Sequence, residues 1–237
     1  MGFDVKKTTK RSILDWLCPH YCLGCGRLGG VICKCCKNDI LASNLQFRKK
    51  YPEVMMVGKR TGLLGAAIKQ YKYGPVRALG GELASLLEAV IAAGVQEQAE
   101  EIVIVPLPTI AKHVRQRGFD HTWRMGRELA RMGGWQIQKT LERANNTVQV
   151  GQDKRTREQQ AQTAYRAKER LSAEKIYVLV DDVWTTGASM RAAKAELEKA
   201  GAKKIRMAVV AMSENAKLDD DVSAESIVNN EVNDSVS

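Results

Sequence analysis

Twelve consecutive residues constrain the fold of this chain more than any other stretch: Val178-Leu179-Val180-Asp181-Asp182-Val183-Trp184-Thr185-Thr186-Gly187-Ala188-Ser189. The apolar run Ile176 to Val180 reads as a buried strand. Thr186 to Ala200 reads as a helix that Gly201 ends. A strand passing into a helix through small residues is the unit of an open parallel sheet, whose ligands bind beyond the carboxyl ends of its strands. The opening of such a helix offers unpaired backbone N–H groups and a positive dipole end. Thr185, Thr186 and Ser189 add hydroxyls, and Gly187 lets the backbone come close, so the turn from Thr185 through Ala188 to Ser189 suits a phosphate dianion. Asp181 and Asp182 would repel a phosphate alone. They suit a sugar held beside it, because carboxylates accept hydrogen bonds from ribose hydroxyls and bind Mg²⁺ directly or through water. The run therefore specifies a 5-phosphoribosyl group.

The rest of the chain supplies the sheet. Strands are expected at 54–57, 102–105, 135–139 and 203–212, with helices at 39–50, 63–73, 79–93 and 119–132. A short helix is expected at 12–17, with Ser12 as its N-cap. Alternation of strand and helix predicts a Rossmann-like parallel sheet covered on both faces. A basic loop is expected between Pro106 and Gly118, where Lys112, Arg115 and Arg117 would lend charge to a pyrophosphate. Residues 143–165 hold Lys154, Arg155 and Arg157, with Arg166 next to them, and could cover such a site.

All six cysteines lie between Cys18 and Cys36. Clustering at one end of an intracellular chain points to metal rather than to a disulfide framework. Cys22-Leu-Gly-Cys25 and Cys33-Lys-Cys-Cys36 form two knuckles whose four thiolates can surround a structural Zn²⁺. Cys35 could replace Cys33 or Cys36, and Cys18 or His20 could replace Cys22.

Residues 178–189 resemble the phosphoribosyl-pyrophosphate signature of the type I phosphoribosyltransferase fold: an apolar strand end, two acids, two apolar residues, then Thr-Thr-Gly-x-Ser. The resemblance implies that Asp181 and Asp182 face the ribose and that Thr185 to Ser189 wrap the 5′-phosphate, with Mg²⁺ accompanying the ligand. Val105-Pro106-Leu107 followed by Arg117-Gly118-Phe119-Asp120 is similar to the ComF family pattern, which usually has Asn where Asp120 stands. That family also places a four-cysteine zinc knuckle ahead of a phosphoribosyltransferase-like domain. The implied organisation is a helix and zinc-knuckle module at 1–50, a phosphoribosyltransferase-like domain at 51–213 and a disordered acidic tail at 214–237.

Charge bears on function. The net charge of +10 is uneven: residues 214–237 hold seven acids and one base, leaving +16 on residues 1–213. Such a body favours polyanions. The ComF resemblance implies a competence protein that binds single-stranded DNA, works with DNA-uptake machinery proteins and holds phosphoribosyl pyrophosphate or a nucleotide as a regulatory ligand. The alternative is an active phosphoribosyltransferase acting on an unidentified nucleobase. Purine-salvage members of the fold carry an acid where this chain has Thr185, which argues against hypoxanthine-guanine chemistry. No window is long and apolar enough for a membrane span, and residues 1–10 lack a secretory pattern, so a cytoplasmic location is expected.

Overall fold

The computed structural model describes residues 21–95, 101–144, 164–213 and 216. The helix expected at 12–17, Cys18, His20, the basic residues 154, 155 and 157, and the acidic tail lie outside the described residues. The first helices are α1 (Lys34–Ser43) and α2 (Leu45–Lys49), followed by β1 (Val54–Lys59), α3 (Gly62–Tyr73) and α4 (Leu79–Gly94). Then come β2 (Ile102–Pro106), α5 (Ala111–Arg117), α6 (His121–Gly133) and β3 (Gln136–Ile137). The short strands β4 (Leu141–Arg143) and β5 (Tyr165–Ala167) precede β6 (Ile176–Trp184), α7 (Ala188–Lys199) and β7 (Lys204–Met212).

Five strands form one sheet in the order β1-β7-β6-β2-β3, all parallel. β4 and β5 pair antiparallel in a separate small sheet. The chain moves outward from β2 to β3, then returns across β2 to lay down β6 and continues to β7 on the other side. The winding therefore reverses between β2 and β6, and open sheets of this kind form their ligand crevice at such a point, beyond the carboxyl ends of the strands. The Leu107 N–H donates to the Val180 carbonyl at 2.8 Å, closing the seam beneath that crevice.

Alternation along β6 assigns its side chains to two cores. Ile176, Val178 and Val180 pack with Leu64 and Ile68 of α3, Leu83, Leu87 and Ile91 of α4, and Met125 and Leu129 of α6. Tyr177 and Leu179 pack on the other face with Met190, Ala193 and Leu197 of α7 and with Leu141 and Tyr165 of the small sheet. Fully burying one such Leu or Ile stabilises by about 1.5–3 kcal/mol, so both faces drive the fold. Cys22, Val31, Ile32, Cys36 and Ile40 belong to the first of these cores, so the cysteine knuckle is packed onto the sheet domain.

Three local expectations are corrected. The helix expected from residue 39 starts at Lys34, with Cys33 at its N-cap position, because the second knuckle forms its opening. The expected basic loop is largely the helix α5: its Ala-Lys-His-Val-Arg-Gln-Arg sequence is rich in helix formers and ends at left-handed Gly118, φ +73°. β6 runs on to Trp184, so Asp181 and Asp182 lie within the strand rather than after it.

Candidate functional site

Asp181 and Asp182 stand at the carboxyl end of β6, beside the crevice. Asp182 follows Val178 and Val180 onto the α3/α6 face and is only 3% exposed. Lys72 of α3 sets its Nζ 2.6 Å from Oδ2 of Asp182, and His121 of α6 sets Nε2 3.3 Å from the same oxygen. Burial alone would raise the Asp182 pKa, but the His121 hydrogen bond and the Lys72 charge hold it well below the usual carboxylate range. Asp181 is half-buried, and its Oδ1 accepts the Asp182 N–H at 2.8 Å. Burial, together with the neighbouring Asp182 carboxylate, pushes Asp181 up to about 8. The two acids thus have different environments: one is committed to the fold, the other borders solvent.

The phosphate turn follows directly. Thr185, Thr186 and Ser189 are exposed, while Gly187 is buried with φ +75°. Gly187 is the N-cap residue of α7 and has no side chain to cap the helix, so the first N–H groups open toward the turn. The Ala188 N–H lies 3.4 Å from Thr186 Oγ1, and Arg191 Nη2 donates to the Thr186 carbonyl at 2.8 Å, which steadies the turn from behind. Trp184 is buried beneath it.

α5 follows the carboxyl end of β2. Of the three basic residues singled out there, Arg117 is brought toward the acid pair: its Nη1 lies 3.0 Å from Nδ1 of His121 and its Nη2 lies 3.4 Å from the Tyr73 hydroxyl. Lys112 and Arg115 are exposed on the same helix. The loop leading into α5 is pinned by Arg143, which donates to the Pro108 carbonyl at 3.4 Å and to the Tyr165 hydroxyl at 3.2 Å. Lys72 and His121 were assigned no role in the sequence reading. One signal was available: period-two alternation from Val178 puts Asp182 on the buried face, where a carboxylate needs a cation.

The cysteine cluster is separate from this crevice. The sulfurs of Cys22, Cys25, Cys33 and Cys36 all lie within 4.8 Å of one another, and Cys25 and Cys33 are 3.6 Å apart. A tetrahedral Zn²⁺ with Zn–S of about 2.3 Å puts sulfurs roughly 3.8 Å apart, so the four cysteines fit a zinc-binding module. The N–H groups of Gly24 and Cys33 point at Cys22 Sγ, at 3.4 and 3.3 Å. Burial would raise the Cys22 thiol, yet these backbone donors outweigh it and bring it down to about 6. Hydrogen bonding to Cys22, with burial, pushes Cys36 up instead. Crowded sulfurs without a cation divide their protons unequally; a dication lets all four ionise. Gly24 is required here, because a Cβ would meet Leu63 Cδ2 at 2.6 Å and Cys36 Sγ at 2.8 Å. Cys35 is exposed and outside the group, which leaves the two evenly spaced pairs as the cluster.

Residues 141–236 match the family described as phosphoribosyl transferase domain. That stretch contains β4 to β7, the acid pair and the Thr185–Ser189 turn, so the similarity covers the carboxyl-terminal part of the sheet. No curated protein matches the chain. A solved structure described as the allosteric regulatory enzyme of purine biosynthesis is similar over 60% of this chain and 29% of its own, at 17% sequence identity and a TM-score of 0.39. The chain thus spans less than a third of that protein's length. Among the described residues, no helix is long and apolar enough to cross a membrane.

Proposed function

We propose that this chain binds a 5-phosphoribosyl ligand, phosphoribosyl pyrophosphate or a nucleotide, at the carboxyl ends of β2 and β6. One observation carries the reading. At the point where the sheet's winding reverses, β6 carries a half-buried acid (Asp181) and passes directly into a hydroxyl-lined helix opening (Thr185 to Ser189), and Arg117 contacts His121, the neighbour of Asp182. The turn takes the 5′-phosphate, Asp181 takes the ribose diol, and Arg117 faces the pyrophosphate, with Lys112 and Arg115 adding positive potential. Asp182 orients the strand end rather than the sugar. A Mg²⁺ ion arriving with the pyrophosphate would favour the ionised form of Asp181, which its raised pKa of about 8 otherwise disfavours at neutral pH. Calorimetric titration of phosphoribosyl pyrophosphate with Mg²⁺ tests this. Saturable binding is expected for the wild type, with a loss of roughly tenfold or more in Asp181→Ala. No binding by the wild type would end the reading.

The setting we propose is DNA handling in the cytoplasm: a ComF-like competence protein that binds single strands, meets uptake-machinery proteins and uses the phosphoribosyl site for regulation. The +16 carried by residues 1–213 supports it. A second reading, catalytic transfer of phosphoribose to a nucleobase, draws support from Arg117, whose guanidinium is held on His121 beside the acid pair and would suit the charge of a leaving pyrophosphate. Pyrophosphate release measured over a panel of bases separates the two: turnover with any base favours the enzyme, and none favours the regulatory site.

A further inference from the structure

A chain of polar contacts runs behind the acid pair. Arg117 Nη1 lies 3.0 Å from His121 Nδ1. A guanidinium has donors and no acceptor, so Nδ1 must accept. The ring is therefore neutral, with its proton on Nε2, and that nitrogen faces Asp182 Oδ2 at 3.3 Å. The far end of the chain agrees. The Thr109 hydroxyl donates to Asp120 Oδ1 at 3.0 Å, so toward Thr122, 3.2 Å away, it can only accept. The Thr122 proton is thus spent on Thr109, and its oxygen, 3.5 Å from Nε2, is left as an acceptor for the same imidazole proton. Asp120 in turn accepts the Trp123 N–H at 3.1 Å and caps α6. Arg117 is braced by the Tyr73 ring, 5.1 Å from its guanidinium carbon, and the His121 carbonyl accepts from the Tyr71 hydroxyl at 2.8 Å.

His121, Asp181 and Asp182 bring their donor atoms within 4.8 Å of one another, a spacing that can suit a metal ion. The direction of the chain removes His121 from such a set. Its lone pair is on Nδ1, taken by Arg117, and Lys72 already supplies Asp182 with a cation at 2.6 Å.

We infer that Lys72 and His121 are positioning residues that keep Asp182 ionised and turned inward, leaving Asp181 to face the ribose diol, and that Arg117 locks His121 in the tautomer this requires. The binding consequence rests on the phosphoribosyl reading; the tautomer does not. Arg117 thereby links the basic helix to the acid pair, so the two sides of the crevice are ordered together.

Two measurements on the full chain test this. The first is the ¹⁵N shifts of the imidazole nitrogens in labelled protein, with His121 assigned by its loss in His121→Gln. At neutral pH the ring is expected to be neutral with its proton on Nε2, and Arg117→Met is expected to disturb that state. A wild-type ring protonated on Nδ1, or on both nitrogens, overturns the inference. The second is affinity for ribose 5-phosphate, which carries the phosphate and diol without pyrophosphate. Gln at 121 keeps an N–H donor near the place of Nε2, whereas Asn reaches only the place of Nδ1. His121→Gln is therefore expected within about threefold of wild type, and His121→Asn about tenfold or more weaker, as for a lost hydrogen bond to a charged group. Lys72→Arg should be milder than Lys72→Met. Equal losses in Gln and Asn, or no loss in Asn, overturn the positioning role. If the wild type binds no ribose 5-phosphate, the ligand reading falls, and the ring nitrogens still decide the tautomer.

Discussion

Trp184 and Gly187 determine one another. The indole lies beneath the turn at 1% exposure, and a Cβ on residue 187 would overlap its ring and come within 2.7 Å of Arg191 Nη1. Residue 187 also has φ +75°. Gly187→Ala is expected to cost about 1–3 kcal/mol in urea unfolding, from overlap and backbone strain together. Adding Trp184→Leu should remove the overlap share and leave only the φ cost of the Gly187→Ala change, about 1 kcal/mol. Asp181 makes a pH prediction. Its folded pKa of about 8 exceeds its ordinary 3.8, so between those values the folded state binds more protons than the unfolded one. This acid's contribution to stability therefore falls as pH rises through that window. Asp182, held low, works in the opposite sense only in stronger acid. Asp181→Asn should flatten the decline, read as melting temperature against pH. At this scale the sequence was informative about identity and less so about direction. The two acids and the hydroxyls were readable as a set, because their chemistry is local. Lys72 was not, because it reaches Asp182 only through the packing of α3 on the sheet.

Among the elements, β2, β6, α4 and β7 were legible because their apolar runs are continuous or cleanly periodic. α5 was not: seven residues with no buried member carry no hydrophobic period, and only propensity and the Gly118 stop mark it. The knuckle was legible as four ligands, while its attachment to the sheet was not, since Cys22 and Cys36 join the core through contacts with α3 and α4 that spacing does not encode. That attachment makes a prediction. Lys37 of α1 pairs with Glu82 of α4, and Ile32 and Ile40 are buried with Leu64 and Leu83. Stripping bound zinc with a chelator, or changing Cys36→Ser, should lower the midpoint of one cooperative transition, with a loss of several kcal/mol in unfolding free energy, rather than melt a separate small unit. Calorimetry counts the transitions, and metal analysis of the wild type should give one zinc per chain.

At the scale of the whole molecule, charge is the property to test. Single-stranded DNA binding, if present, should weaken steeply with salt, with log K falling by about 0.7 per phosphate neutralised. Removing residues 214–237, which carry a net −6, should tighten it at low salt. Anisotropy titrations over a salt series check both; an unchanged affinity would mean that the acidic stretch does not compete with DNA. The knuckle's shared core has a further bearing on the living cell. The cysteine cluster packs in the same core as Val178 and Val180 of β6, the strand that carries the acid pair, so a chain that fails to assemble the knuckle loses packing on one face of that strand. Under the proposed reading, zinc scarcity would act before any ligand does, by weakening the fold that holds the site.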